Sequence, residues 1–446
     1  MIKKDEETLN KNFSGKMEKI VSLCKRRGFI FPNSEIYGGL ASSYDYGPLG
    51  VELKNNIKKL WWKYFIQDRE DMTGIDGGII LHPKVWEASG HIQNFKDPLV
   101  ECKVCHKRFR PDKLADVSKC PECGGEFTEA KMFSGMFKTT IGPIEEEGLV
   151  TYLRPETAQN IFVDYKNVLS SMAKKIPFGI GQIGKSFRNE ITTGNFFFRT
   201  YEFEIAELEY FIPPDSDWNK IFEEWIDYIY NFADIIGLDR KKFHNNELSA
   251  KDRAFYSKRT IDIEYEFPFG QDELWACAYR TDYDLSRHQE YSGQNMEYFD
   301  EETKQKYIPH VIEPTFGVDR TLLAILSEAY IEEKDEKGET RIVLRFDPKI
   351  APYKIAVAPL LANKEDLVSK AREIFENLRK KYYCAWDDRG NIGKRYRSQD
   401  EIGTPYFITV DFDSLNDDAV TVRNRDTMKQ ERIKVNNLED YFKDKF

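Results

Sequence analysis

The sequence lacks several features that would place it in common classes of protein. No apolar run approaches the roughly 18 residues needed to cross a bilayer, so we expect no membrane-spanning segment and no membrane partner. The first residues, MIKKDEETLNKN, are charged and contain no apolar stretch typical of a secretory signal, which indicates a cytoplasmic protein. The seven cysteines are an odd number, and four of them are closely paired, which favours metal binding over a disulfide framework.

Positive charge is also in deficit. The 66 lysines and arginines are outnumbered by 76 acidic residues, and the net charge of -10 argues against a protein covered in nucleic acid. A local basic patch remains compatible with this total. The length of 446 residues exceeds one ordinary core, so about two or three domains are expected.

The stretch Gly184 to Phe211 predicts two strands joined by a turn at residues 192–195. Alternation places Arg188 and Glu190 on one face of the first strand. One face of the second strand carries Phe203, Ile205, Glu207 and Glu209. A guanidinium fits phosphate oxygens and an aromatic ring can stack on a base, so this hairpin could hold a nucleotide. The residues alone favour the simpler alternative, a half-exposed hairpin with cross-strand ion pairs.

Two Cys-x2-Cys pairs, Cys102 with Cys105 and Cys120 with Cys123, are separated by residues 106–119. This spacing predicts a tetrahedral thiolate site for structural Zn2+, with four buried free thiols as the alternative. Because four cysteines leave no open coordination position, we expect this metal to take no part in catalysis.

Other segments predict helices, strands and a separate C-terminal unit. An amphipathic helix from Val51 to about Gln67 carries Trp61 and Trp62, which suit either core packing or a subunit interface. Residues 74–81 predict a strand. Alternating strands and helices after residue 345 predict a βα-rich domain with a mixed sheet. A loop at residues 390–405 combines Lys394, Arg395 and Arg397 with Tyr396, which suits single-stranded RNA or a solvated loop.

Several strings resemble the class II aminoacyl-tRNA synthetases. FRNE, a turn and GNFFFRTYEFE resemble motif 2, and the fuller string is similar to the homodimeric family of glycyl-tRNA synthetases. EPTFGVDR resembles motif 3, while RPETAQ and DELWACAYRTDYDL resemble further strings of that family. GKRYRSQDEIGTP resembles the anticodon-binding domain of this synthetase group. The strings occur in the family's order along nearly the whole chain.

The resemblance implies an α+β fold, with a class II core of antiparallel sheet flanked by helices. The core would occupy residues 1–91, including motif 1, and residues 151–345, including motifs 2 and 3. A zinc-knuckle insertion would occupy residues 92–150, and an α/β anticodon-binding domain residues 346–446. It also implies a homodimer.

The implied reaction is ATP-dependent activation of glycine and its transfer to tRNA(Gly), with Mg2+ bridging the phosphates. The catalytic residues would be Arg188, Glu190 and Arg320. The ATP contacts would be Arg188, Asn189, Glu190, Phe198, Arg199, Thr200, Phe203, Glu273, Leu274, Gly317 and Arg320. The substrate contacts would be Arg110, Glu156, Phe203, Glu204, Glu207, Arg280, Glu313, Thr315 and Gly317.

Four positions depart from the family's usual residues. Tyr201 and Ile205 stand where the family has Arg and Gln, Thr315 where it has Ser, and Ala276 where it has Gly. These changes bear on the amino-acid pocket and leave the ATP contacts intact. Two alternatives remain: a class II synthetase for proline, threonine or histidine, and a non-catalytic nucleic-acid-binding relative.

Overall fold

The computed structural model describes residues 15–111, 114, 116–144, 146–191, 193–334 and 338–446. Helix α1, Gly15–Arg27, buries one apolar face and ends at Gly28, whose φ of 75° suits glycine. Strands β1, Ile30–Pro32, and β2, Tyr44–Tyr46, pair as a hairpin. Helix α2, Pro48–Trp62, continues as a π-helical turn, Lys63–Gln67, and leads to β3, Met72–Gly74.

The predicted strand over residues 74–81 is wrong, because the extended pairing ends at Gly74. Beyond Gly74, side chains rather than a neighbouring strand form hydrogen bonds with the backbone of Gly77. The Gln182 Oε1 accepts from its N–H at 2.6 Å, and Arg154 Nη1 donates to its carbonyl at 2.8 Å. The core interpretation holds for Trp61, which is buried against Phe65 and Phe316.

The insertion is a small β-rich unit. Two short helices, α3, Pro83–Ala88, and α4, His91–Asn94, lead into it. It contains β4, Lys96–Glu101; β5, Arg108–Phe109; β6, Lys131–Ser134; β7, Lys138–Ile141; and β8, Leu149–Tyr152, where it ends. The strands form a three-stranded sheet in the order β5-β4-β6 and a β7-β8 hairpin. No described element of the insertion belongs to the large sheet of the chain.

The central unit is built on that large sheet. Its elements are α5, Ala158–Ser171; β9, Phe178–Phe187; β10, Glu202–Ile212; α6, Trp218–Ile235; β11, Phe243–Glu247; β12, Arg259–Phe267; β13, Gly270–Thr281; α7, Tyr283–Ser292; β14, Tyr298–Phe299; β15, Lys306–Tyr307; β16, His310–Gly317; and α8, Val318–Ala329. Seven strands pair in the order β11-β12-β13-β16-β10-β9-β3, antiparallel except β3 with β9. The α+β prediction is confirmed.

The predicted motif 2 hairpin is correct in its strands and wrong at one end. Strand β9 ends at Phe187, so Arg188 and Glu190 lie beyond it and do not share a strand face. The pairing stops because the Asn189 N–H donates at 2.8 Å to the carbonyl of Gly135, in the insertion, instead of to β10. Of the predicted turn, Thr192 lies outside the described residues, and a 3-10 turn, Phe196–Phe198, leads into β10.

The chain then forms a hairpin and a second domain. The hairpin pairs β17, Tyr330–Lys334, with β18, Thr340–Leu344. The domain contains β19, Ile355–Pro359; α9, Glu365–Leu378; β20, Cys384–Trp386; α10, Ile392–Glu401; β21, Tyr406–Val410; α11, Ser414–Asp417; β22, Ala419–Asn424; β23, Gln430–Lys434; and α12, Leu438–Phe442. Its mixed sheet, β20-β19-β21-β22-β23, matches the prediction.

The basic segment predicted as a loop is instead helix α10. Asn391 caps it by accepting from the Lys394 N–H at 2.9 Å. Arg395 is buried and donates to the carbonyls of Pro359 and Gly390, at 2.5 and 2.8 Å. Tyr396 packs edge-on against Phe407. These two side chains therefore support the domain rather than face solvent.

Among the described helices, none is both long and apolar enough to cross a membrane.

The two domains meet through buried arginines. Asp400, on α10, accepts from Arg341 Nε of β18 at 3.0 Å and from Arg423 Nη1 of β22 at 2.8 Å. Arg425 Nη2 donates to the carbonyl of Phe346 at 2.7 Å, which fixes the start of the second domain against its sheet.

We expect Asp400→Asn to lower the free energy of unfolding by about 3 kcal/mol, because two buried guanidinium groups would lose their shared countercharge. Urea unfolding followed by circular dichroism measures the change. Asp413→Asn, the same substitution at an exposed position of this domain, should change it by less than about 0.5 kcal/mol. Equal effects of the two substitutions would contradict the assigned role of Asp400.

Candidate functional site

A cleft of about 650 Å³ opens on the large sheet, where β9 ends and α8 begins. It is lined by residues of the segment after β9 and of β10, β13, β16 and α8: Arg188, Glu190, Phe198, Arg199, Thr200, Phe203, Glu204, Ile205, Glu207, Glu273, Leu274, Trp275, Thr315, Gly317, Asp319 and Arg320. Most of the predicted ATP contacts are therefore brought together here. A cleft lined by two arginines and aromatic rings suits a nucleotide, whose phosphates and base such groups can contact.

Two arginines lie across this cleft from one another in the fold. Arg188 follows β9, donates through Nε to the carbonyl of Pro155 at 3.1 Å, and lies 5.3 Å from the ring centroid of Phe203. Arg320, in the first turn of α8, lies 4.3 Å from the ring centroid of Phe198. Both guanidinium groups are held in place by neighbouring groups while part of each remains exposed.

Glu273 connects the second arginine to β13. Arg320 Nη1 donates to a carboxylate oxygen of Glu273 at 2.9 Å and to its carbonyl at 2.8 Å. Burial alone would raise the pKa of Glu273, but the positive charges of Arg320 and, more weakly, Arg188 bring that pKa below its ordinary value. Glu273 is therefore an anion held among cations.

Asp319 and Lys54 form a buried support that the sequence did not reveal. Asp319 accepts from the Glu204 N–H at 2.6 Å, from Lys54 Nζ at 2.7 Å and from the hydroxyl of Tyr46. The Glu204 carboxylate pairs with Lys54 at 2.9 Å and with Lys58 at 2.7 Å. Glu204 lies one residue from Phe203 and on the opposite strand face, so this network anchors α2 and α8 to β10.

A buried acidic subsite adjoins the cleft beneath Glu207. Glu207 accepts from the Thr157 N–H at 2.6 Å and from the Thr157 hydroxyl at 2.5 Å, at the start of α5. Arg280 of β13 donates to Glu313 of β16 at 2.7 Å and lies 4.0 Å from Glu156. These four predicted substrate residues are all buried. The structure therefore places Glu156 and Glu313 beside the Arg280 guanidinium, with Glu207 held separately by Thr157.

The three carboxylates have different proton affinities. Burial would raise the pKa of Glu156, but His91 and then Arg280 bring it well below its ordinary value. Burial raises the pKa of Glu207, and the negative charge of Glu156 adds to that effect. Burial also raises the pKa of Glu313, to about 8, because Glu207 and Glu156 offset the attraction of Arg280. An added cation would be stabilised here.

Four further residues complete this subsite and were missed by sequence reasoning. His91 Nε2 lies 3.2 Å from Glu156, and Asp284 accepts from Arg280 Nε at 2.8 Å. Gln159 donates to Asp284 at 2.8 Å, and Tyr256 lies under the Arg280 guanidinium, 3.7 Å from ring centroid to Cζ. The signal was partly available, since Gln159 and Asp284 lie inside the RPETAQ and RTDYDL strings.

Two predicted residues, Arg110 and Asn189, belong neither to the described cleft lining nor to the acidic subsite. Arg110 lies in the insertion, where Nη1 donates to Asp97 at 2.8 Å. Asn189 uses its backbone N–H on Gly135 and its side-chain amide on the carbonyl of Ser134, at 2.8 and 3.3 Å. Asn189 therefore ties the segment after β9 to the insertion.

Of the four positions that depart from the family's usual residues, two line the cleft. Ile205 and Thr315 line it, and the strand register places Thr315 opposite Glu207 on one side and opposite Ala276 on the other. Tyr201 does not line it and packs edge-on against Phe137 of the insertion. Two of the four departures thus line the cleft, and a third, Ala276, is the neighbour of Thr315 in the sheet.

The four paired cysteines form a cluster that can hold a metal ion. Their sulfur atoms all lie within 4.8 Å of one another, with 3.4 Å between Cys102 and Cys123 and 3.7 Å between Cys105 and Cys120. Four thiolates around one tetrahedral zinc ion are about 3.8 Å apart, so the cluster fits the expected geometry. The predicted ligand set is therefore brought together.

Comparison with protein families defines the class. Residues 137–329 match the tRNA synthetase class II core domain (G, H, P, S and T), and residues 354–445 match an anticodon binding domain. The cleft and the acidic subsite lie mostly within the first match. The chain thus carries the catalytic core of a class II tRNA synthetase, and the prediction of an enzyme is confirmed.

The particular family follows from individual relatives. The chain is 52% identical to the glycine--tRNA ligase of Clostridium acetobutylicum over 471 residues, covering 99% of each chain. It is 53% identical to that of Lachnospira eligens over 460 residues, covering 96% of this chain and 99% of the relative. It is 51% identical to the glycine--tRNA ligase of Thermobifida fusca over 451 residues, covering 95% of this chain and 97% of the relative. The chain belongs to the glycine--tRNA ligase family.

We expect the purified protein to bind one metal ion per chain at the four cysteines. Replacing Cys120 and Cys123 by serine should abolish this binding, because two thiolate ligands are lost. Elemental analysis by mass spectrometry measures the content. Cys384→Ser, at a buried cysteine outside the cluster, should leave the metal content unchanged. Full metal content in the double variant would contradict the site.

Proposed function

We propose that this chain activates glycine with ATP and transfers the glycyl group to tRNA(Gly). One observation carries the proposal: a cleft lined by Arg188 and Arg320 shares Glu207 with a buried acidic subsite. The first can hold a polyphosphate, and the second a small ammonium group. Membership of the glycine--tRNA ligase family supports the same reaction.

The first step joins the two substrates in the cleft. The glycine carboxylate attacks the α-phosphorus of ATP, the bond to the bridging oxygen breaks, and glycyl-adenylate and pyrophosphate form. Because a carboxylate is already a nucleophile, no general base is required. Catalysis then rests on alignment and on countering negative charge. In the second step a hydroxyl of the terminal adenosine of tRNA displaces AMP.

The cleft residues take separate roles in this proposal. Arg188 binds the α-phosphate, Arg320 binds the γ-phosphate, and Phe203 stacks on the adenine ring. Glu190 and Glu273 lie within the same cleft as the arginines. Mg2+ would accompany ATP, and Glu273 is a suitable carboxylate for it, since this group is exposed in part and already ionised.

The acidic subsite would bind the glycine ammonium. Glu156, Glu207 and Glu313 supply the negative charge, and Arg280 fixes their arrangement. Thr315 and Gly317 close the space beside them, so larger amino acids are rejected for lack of room. The methyl groups of Thr315 and Ala276 add to this restriction, which suits an amino acid without a side chain.

The remaining parts of the chain serve tRNA and assembly. We infer that the four-cysteine cluster holds Zn2+, which would stabilise the insertion without entering the reaction. Residues 346–446 would bind the anticodon, with Lys394 exposed on α10 as a candidate contact. A homodimer is consistent with the exposed apolar side chains of Ile36, Tyr37 and Leu40. The cytoplasm is the expected compartment.

Glycine-dependent exchange of pyrophosphate into ATP, without tRNA, tests the first step. We expect exchange with glycine alone among the amino acids. Arg320→Gln should lower kcat/KM for exchange by about 100-fold, because a cation aimed at the phosphates is lost. Arg240→Gln, at an exposed arginine paired with Asp234, is the matched control and should match the wild type. Exchange with another amino acid, or none, would contradict the proposal.

Aminoacylation of tRNA at varied tRNA concentration tests the second domain. We expect Lys394→Glu to raise the KM for tRNA about tenfold while leaving exchange unchanged, because charge repulsion would act only on the nucleic acid. Lys380→Glu lies beyond α9, on the opposite face of the five-stranded sheet, and should have little effect. Equal losses from both substitutions would contradict an interface at α10.

A further inference from the structure

Glu209 is a buried carboxyl group to which the proposed mechanism gives no role. It lies in β10, two residues beyond Glu207, and its relative exposure is 0%. Among the residues that the structure describes, neither carboxylate oxygen of Glu209 has a hydrogen-bond partner. Buried polar groups are normally satisfied, so this one requires an explanation. Because residues two apart on a strand share a face, Glu209 points to the same side of the sheet as Glu207.

The strand register places Glu209 beside Glu313. Glu207 is opposite Thr315 and Tyr210 is opposite Ile312, so Glu209 falls opposite Glu313 in the antiparallel pair. Side chains at directly opposite positions have Cβ atoms about 5 Å apart, which brings the two carboxyl groups within reach of each other. On its other side the partner is Ile180 of β9, which offers no polar group.

The charged groups facing Glu209 are mostly negative. They are Glu207 on its own strand, Glu313 on β16, Arg280 on β13 and Asp284 on α7. Arg280, the one cation among these groups, gives two nitrogens to Asp284 and a third to Glu313. Among the described residues, none of its hydrogen bonds reaches Glu209.

A lone ionised carboxylate in this position would be unstable. Burial, and then the negative charge of Glu313, raises the pKa of Glu209 well above its ordinary value. Two carboxyl groups that face each other in a buried site commonly share one proton. A neutral acid can donate its O–H to the neighbouring carboxylate, which supplies the missing hydrogen bond and removes the repulsion between the two charges.

We propose that Glu209 is a positioning residue of the amino-acid subsite that acts as the neutral acid, donating its proton in a hydrogen bond to Glu313. This deepens, and rests on, the proposed activation of glycine. With glycine bound, the ammonium favours the ionised form of Glu313, and the hydrogen bond from Glu209 keeps that carboxylate turned toward the ammonium. The single proton also prevents the subsite from carrying an excess of buried negative charge. Glu209 itself touches no substrate.

Two substitutions separate this role from a merely structural one. Glu209→Gln keeps a donor of similar shape, so the KM for glycine in pyrophosphate exchange should stay within about threefold of the wild-type value. Glu209→Met keeps the volume without the donor and should raise that KM about tenfold or more, since a hydrogen bond to a charged group is lost. The KM for ATP should be unchanged in both variants, which shows that the cleft is intact.

Infrared difference spectroscopy provides a readout that does not depend on activity. The spectrum of the wild-type protein minus that of Glu209→Gln should show the carbonyl band of a protonated carboxyl group at neutral pH. Glu202→Gln, at an exposed position of the same strand, is the matched control and should produce no such band. These measurements use the full chain with its metal.

Three results would overturn the inference. An equal rise of the glycine KM in the Gln and Met variants would show that an ionised Glu209 is required. No change in either variant would remove the positioning role. Absence of the carboxyl band would exclude the neutral acid. A wild-type protein inactive with glycine would instead overturn the proposed function, while the infrared band would still report the protonation state of Glu209.

Discussion

The acidic subsite and the strands around it depend on the buried guanidinium of Arg280. Arg280 is fully enclosed, and its nitrogens join β13, β16 and α7 through Glu313 and Asp284. Its ring neighbour Tyr256 covers the face of the guanidinium. A buried cation of this kind is stable only with its carboxylates in place, and the carboxylates are stable only with the cation. The acidic subsite is therefore rigid before any ligand arrives, which is the condition for selecting a very small one.

This constraint explains the division of labour around the cleft. Arg188 and Arg320, which line the cleft, remain partly exposed and already make hydrogen bonds, to the carbonyl of Pro155 and to Glu273 respectively. In the proposed function they would exchange these contacts for phosphate oxygens. The carboxylates of the acidic subsite, Glu156, Glu207 and Glu313, are buried and are held by several hydrogen bonds. A substrate with an ammonium and a carboxylate separated by one carbon fits this polarity, because its two ends meet surfaces of opposite charge.

The class of fold and most of the cleft residues followed from strings that resemble a known family, whereas the residues of the hairpin alone favoured a half-exposed hairpin with ion pairs. Local patterns were sufficient for two features: strand alternation placed Phe203 and Glu207 on one face, and the spacing of four cysteines placed the cluster that can hold a metal ion. Prediction failed where a distant segment decides the conformation. The insertion accepts a hydrogen bond from the backbone N–H of Asn189, which ends β9. Side chains of Gln182 on β9 and of Arg154 after β8 form hydrogen bonds with the backbone of Gly77. Arg395 was assigned to a loop because its carbonyl partners are separated in sequence. The orphaned state of Glu209 depends on strand register, which composition does not reveal.

The contact between Asn189 and the insertion joins two parts of the chain that have different chemistry. Two hydrogen bonds from Asn189 reach the end of β6, and Asn189 stands between Arg188 and Glu190. A shift of the insertion must therefore drag this segment with it or break both bonds. The insertion, which carries the four-cysteine cluster, is therefore hydrogen-bonded directly to the residue next to Arg188. The position of Arg188 in the cleft thus depends on a part of the chain that contributes no described residue to the cleft lining.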